Sequence, residues 1–97
     1  MCGAPPQGTE LTGVDLERDT VIQGQVLREG SPVARAYVRL LDAGGEFTAE
    51  VVTNATGDFR FYAAPGRWTL RALAPGATGE RPIVANVGLT TAQVELA

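Results

Sequence analysis

The sequence predicts an all-β protein: a seven-stranded antiparallel β-sandwich over residues 20–97, behind a flexible arm at residues 1–19. Three observations carry this. Apolar residues alternate with polar ones in short runs, the period of a half-buried strand. Turn residues punctuate the chain roughly every 8–12 positions, as sandwiches require. No segment sustains the 3.6-residue apolar period of a helix between caps. The 97 residues leave room for one domain. A domain of this size has a small core and a thin stability margin.

Met1 to Gly8 is small and rich in proline and glycine, which predicts an extended segment. Thr9 to Asp19 is mixed and acidic and reads as a linker. The first firm strand is Thr20 to Arg28, with Ile22, Gly24 and Val26 on one face. Gly24 inside it signals a bulge or a neighbour in close approach. Glu29 to Pro32 turns the chain towards Tyr37–Leu41, where Val38 and Leu40 point opposite to Tyr37 and Arg39. Gly44-Gly45 marks a hairpin turn. Phe47 to Thr53 follows, with Phe47, Ala49 and Val51 expected on one side.

The stretch from Asn54 to Leu73 holds two of the three phenylalanines and the only tryptophan. It reads as turn, strand, turn, strand, and hence as the central hairpin, with Pro65-Gly66 at its tip. Phe59, Phe61, Trp68 and Leu70 are the expected core centre. Ala74 to Glu80 reads as a loop, and Pro82–Val87 and Leu89–Leu96 as the last two strands.

Composition excludes several functions. Net charge is −3, so nothing favours nucleic acid or an anionic membrane. There is no histidine, which removes the usual general base and the commonest metal ligand. Ser31 has no evident base, so a serine hydrolase is not expected. Asp42, Glu46, Glu50 and Asp58 fall at or near turns without the spacing of a calcium loop. No cofactor is implied, and a non-enzymatic role is expected. The single cysteine allows no disulfide within the chain, no apolar run is long enough to span a membrane, and no signal peptide is evident; a cytoplasmic location follows as the expectation.

Two features carry candidate chemistry. Cys2 is the one strongly nucleophilic side chain. If Met1 is trimmed, an adjacent ammonium favours its thiolate; the thiol is then a candidate sulfur acceptor, or else an incidental surface cysteine. Tyr37, Arg39, Arg60, Tyr62 and Arg71 fall on the outward parity of their strands. They form a candidate partner-binding face, suited to protein contacts or forked hydrogen bonds to anions. The alternative is a solvated sheet face with cross-strand pairs such as Glu50–Arg60.

The runs Gly24-Gln25-Val26, Gly30-Ser31-Pro32-Val33, Thr56-Gly57-Asp58-Phe59-Arg60-Phe61 and Ala64-Pro65-Gly66-Arg67-Trp68-Thr69-Leu70 resemble the carboxypeptidase regulatory-like family, a transthyretin-type sandwich. Such modules are usually non-catalytic accessories. Met1-Cys2 with Gln7-Gly8, Val14 to Glu17, Phe47 to Val52 and Ala55 to Leu73 resemble, more closely, a small actinobacterial domain-of-unknown-function family encoded beside thiosulfate sulfurtransferases (rhodanese-like enzymes). That resemblance implies a role in sulfur metabolism, a thiosulfate sulfurtransferase as partner, and Cys2 as the sulfur acceptor. A binding module that uses the Arg/Tyr face, independent of Cys2, is the alternative.

Overall fold

In the computed structural model, residues 15–97 are described; the predicted arm lies outside them as far as residue 14. Eight strands follow: β1 (Thr20–Arg28), β2 (Ser31–Pro32), β3 (Tyr37–Leu41), β4 (Phe47–Val52), β5 (Asp58–Ala63), β6 (Gly66–Ala74), β7 (Ala77–Ala85) and β8 (Gly88–Leu96). Seven of these are the expected strands, and β2 is a two-residue addition. Among the described residues no helix is long and apolar enough to cross a membrane.

The strands form two facing four-stranded sheets. In the first, β1 is the hub. Along one edge it pairs in parallel with β8 over its full length, Thr20 opposite Gly88 through Arg28 opposite Leu96. Along the other edge it pairs antiparallel with β5 and then with β2. The second sheet runs β4-β3-β6-β7, antiparallel throughout. The sandwich is therefore as expected, with one parallel pair that joins the first long strand to the last.

The central hairpin is not a hairpin. β5 pairs with β1 in the first sheet, while β6 pairs with β3 and β7 in the second. Ala64-Pro65 is an arch between sheets, and Gly66 takes φ 144 where the chain changes layer. The indole Nε1 of Trp68 donates to Ala64 O at 2.9 Å and ties the arch down. The loop expected over Ala74–Glu80 is instead a true hairpin. β6 and β7 pair from Gly66–Ala85 to Ala74–Ala77, closed by Pro75 and by Gly76 at φ 75.

Core side chains come from both inner faces. Ile22, Val26, Val38, Leu40, Phe59, Leu70 and Val94 are sealed from solvent, and Phe59 meets Phe61 with ring centroids 6.0 Å apart. Trp68 is only half-buried at the rim of this cluster, so the core centres on Phe59 rather than on the indole. Gly24 explains itself here. A Cβ at that position would stand 1.8 Å from Ala92 O and 2.7 Å from the Phe59 ring. The close approach between β1 and β8 thus requires glycine.

Thr53 fastens the crossover between β2 and β3. Its hydroxyl accepts from Ala36 N at 2.9 Å and donates to Val33 O at 2.7 Å. Asn54 organises the next turn, where its Oδ1 accepts from Thr56 N and Asp58 N, an Asx motif.

Candidate functional site

The five residues proposed for one binding face divide between two sheets. Tyr37 and Arg39 on β3 and Arg71 on β6 share the outer face of the second sheet, because Arg39 and Arg71 are register partners. Arg60 and Tyr62 lie on β5, in the other sheet. Parity along each strand assigned "outward" correctly for Tyr62, but the two outward directions are opposite sides of the molecule. Arg60 departs further. It is buried, 7% exposed, and its Nε donates to Gln23 Oε1 at 3.1 Å. Cys2 lies outside the described residues.

The outer face of the second sheet is ordered by its register. One row reads Glu50–Arg39–Arg71–Glu80 across β4, β3, β6 and β7. Each arginine turns to the carboxylate at its flank: Arg39 Nε to Glu50 Oε2 at 2.7 Å, and Arg71 Nη2 to Glu80 Oε2 at 2.6 Å. The pair anticipated as Glu50–Arg60 is therefore Glu50–Arg39, within one sheet. The row above carries Val52, Tyr37 and Leu73, and the row below Phe47, Leu41 and Thr69.

Phe47 belongs to this outer face because of a bulge. Leu40 opposes Ala49 but Leu41 opposes Phe47, so Thr48 is the extra residue and the side-chain alternation skips a step. Phe47 is thrown to the face opposite Ala49 and is left 62% exposed. With Tyr37 at 51% and Val52 at 44%, it makes an apolar margin around a charge row that is internally neutral.

A second apolar patch sits at one end of the first sheet. Tyr62 and Leu89 flank the buried Val21 from either side. Val87 and Leu16 lie beside them in the chain and in space, since Gly88 N donates to Asp19 O at 2.8 Å and Leu16 O approaches Gly88. These four side chains are all exposed. Sequence parity could flag Tyr62; the rest needed the parallel β1–β8 register.

Two open hollows also lie on the described surface. One, about 420 Å³, lies over the first sheet between Gln23, Gln25, Asp58, Thr91 and Gln93, with Arg81 reaching in from β7 to bond Gln93 O. The other, about 460 Å³, is apolar, with Trp68, Pro82, Ile83 and Val84 beside Arg67. Among the described residues no three potential metal ligands cluster, and no buried side-chain polar atom is left without a partner.

Fold and surface together define a small β-sandwich that presents sheet faces and apolar patches. The chain belongs to the family described as protein of unknown function DUF1416, whose model matches residues 2–96. Similar proteins include the uncharacterized proteins Rv0814c and Rv3118 of Mycobacterium tuberculosis strain H37Rv, each 58% identical over 82 residues, covering 82% of this chain and 82% of the relative. An uncharacterized protein of Mycolicibacterium smegmatis is 62% identical over 68 residues, 69% of this chain and 76% of its own. Among solved structures, a DUF3823 family protein from Parabacteroides merdae superposes with a TM-score of 0.63 at 14% identity, over 82% of this chain and 46% of that one. The chain thus spans under half of that structure's length, and the likeness is one of fold.

Proposed function

We propose that this protein is a non-enzymatic accessory of sulfur metabolism, a cytoplasmic partner of a thiosulfate sulfurtransferase that accepts sulfane sulfur on Cys2. The observation that carries the reading is the exposed patch of Leu16, Tyr62, Val87 and Leu89. It lies at the end of the sandwich where the chain from Cys2 arrives at residue 15. Fully extended, the segment from Cys2 to Asp15 reaches at most roughly 45 Å. A partner held on this patch is therefore within range of the thiol. The family match supports the reading in that it takes in Cys2 together with the sandwich.

The chemistry is thiol–persulfide exchange. The sulfurtransferase carries a cysteine persulfide; the Cys2 thiolate attacks its outer sulfur, a new S–S bond forms on Cys2, and the enzyme thiolate leaves. One sulfur moves and no external oxidant or reductant is consumed. Incubation with a thiosulfate sulfurtransferase and thiosulfate, followed by intact mass measurement, should show a gain of one sulfur atom that disappears in Cys2→Ser. Complex formation should survive Cys2→Ser and weaken in Tyr62→Arg. No mass gain overturns the acceptor role, and no complex overturns the partnership.

A second reading, a binding module that works independently of Cys2, is favoured by the ordered Tyr37–Arg39–Arg71 face of the other sheet.

A further inference from the structure

We propose that the β3–β4 side of the outer face of the β4-β3-β6-β7 sheet is a homodimer surface, on which a second copy of this chain packs face to face about a two-fold axis running between β3 and β4. The occupant follows from the order of side chains across the sheet.

Across the strands the charge row reads minus, plus, plus, minus (Glu50, Arg39, Arg71, Glu80) at about 4.8 Å per strand. A two-fold axis along the strands keeps every row at its own level and reverses the order within it. An axis through the middle of the sheet, between β3 and β6, would set Arg39 over the second copy's Arg71 and is repulsive. An axis perpendicular to the strands through this row sets Glu50 over Glu50. Moved between β3 and β4, the axis along the strands sets each Arg39 over the other copy's Glu50. The same operation places Tyr37 over Val52, large over small, and brings Phe47 above β3 at Leu41, whose own side chain is buried within its copy. A single axis thus satisfies two rows of exposed side chains, unlike on unlike, as an isologous interface requires. An axis between β6 and β7 also alternates the charges, but three strongly exposed apolar side chains, Phe47, Tyr37 and Val52, lie on the β3–β4 side, against Val84 on β7.

The bulge at Thr48 fits this use. It keeps β4 from extending sheet to sheet along its edge and turns Phe47 outward as the projecting apolar contact. With the axis between β3 and β4 only these two strands overlap, an area of roughly 10 by 20 Å, on the order of 200 Å² in projection and more in accessible surface. That is below the standard size of specific interfaces and belongs to weak, transient association. The dimer is therefore concentration-dependent rather than obligate.

Analytical ultracentrifugation of the full chain from about 1 μM to about 1 mM tests this. The wild type should pass from monomer to dimer, and Phe47→Ser, a change at the surface, should remain monomeric with unchanged circular dichroism. Arg39→Glu and Glu50→Arg should each be monomeric alone. Mixed, they should form a one-to-one heterodimer at least tenfold tighter than either self-association, because every charge across the axis is then opposite. A wild type that is monomeric throughout overturns the proposal, and so do folded charge variants that ignore each other. A Tyr37→Arg variant that loses a sulfurtransferase while the wild type never self-associates assigns the face to that partner instead. The Tyr62 patch is untouched by these variants, so failure here is separate from failure of the sulfur-transfer reading.

Discussion

Replacing Gly24 by alanine puts one methyl group where β1 and β8 touch. The added carbon would stand 1.8 Å from Ala92 O and 2.7 Å from the Phe59 ring. An ordinary contact is about 3.5 Å, so the two strands must part by more than an ångström or the Phe59 ring must leave its place. The first obstacle is a backbone carbonyl, which cannot rotate away. The strands are paired over their whole length, so a local separation breaks ladder hydrogen bonds on either side. Overpacking in a filled core costs about 1–3 kcal/mol and at times more. With a main-chain atom as the obstacle, about 3 kcal/mol is expected, after allowing for the smaller entropy of alanine in the unfolded chain. For a domain of this size each kcal/mol moves Tm by about 4–8 °C, so Tm should fall by roughly 12–24 °C. Urea and thermal unfolding read this directly. Gly44→Ala is the control, in an exposed turn with its nearest obstacle 3.4 Å away, and should change little. A Gly24→Ala loss below about 1 kcal/mol would refute the close-approach argument.

Two further outcomes follow from the packing. Phe59→Ala should cost about 3–5 kcal/mol, and Trp68→Ala roughly half that, because the phenylalanine is sealed and the indole is half-buried; equal losses by chemical denaturation would contradict the placement of the core. Thr53→Ala should cost about 1–3 kcal/mol by leaving the buried Ala36 N–H without its acceptor, and Thr53→Ser should recover most of it; a neutral Thr53→Ala in urea unfolding would show that the hydroxyl is not the fastener of the β2–β3 crossover.

Strand positions were legible because they depend on local alternation. The inward positions Ile22, Val38, Leu40, Phe59 and Leu70 followed from parity and are buried. The Gly44-Gly45 hairpin was legible for a similar reason. Its turn is made by residues adjacent in sequence, with Gly45 at φ 82 and the Asp42 carboxylate accepting from Gly44 N and Glu46 N. Phe47 was misassigned because a bulge depends on how β4 meets β3, not on β4 alone. The binding face failed for the same reason at larger scale. Parity says that Arg60 and Arg39 both point away from the core, but not that the core lies between them.

By itself the sequence determined a β-sandwich, its strands, most of its turns, and the absence of histidine chemistry, because these follow from composition and from neighbours one to four residues apart. Only the tertiary structure decided which strands are neighbours. Ala64-Pro65 looks like a hairpin tip and is a passage between sheets; β1 and β8, near opposite ends of the chain, lie side by side and parallel. Pairing is settled by the non-local fit of whole faces, and it divides Tyr37, Arg39 and Arg71 from Arg60 and Tyr62, giving the molecule two candidate surfaces where alternation alone had drawn one.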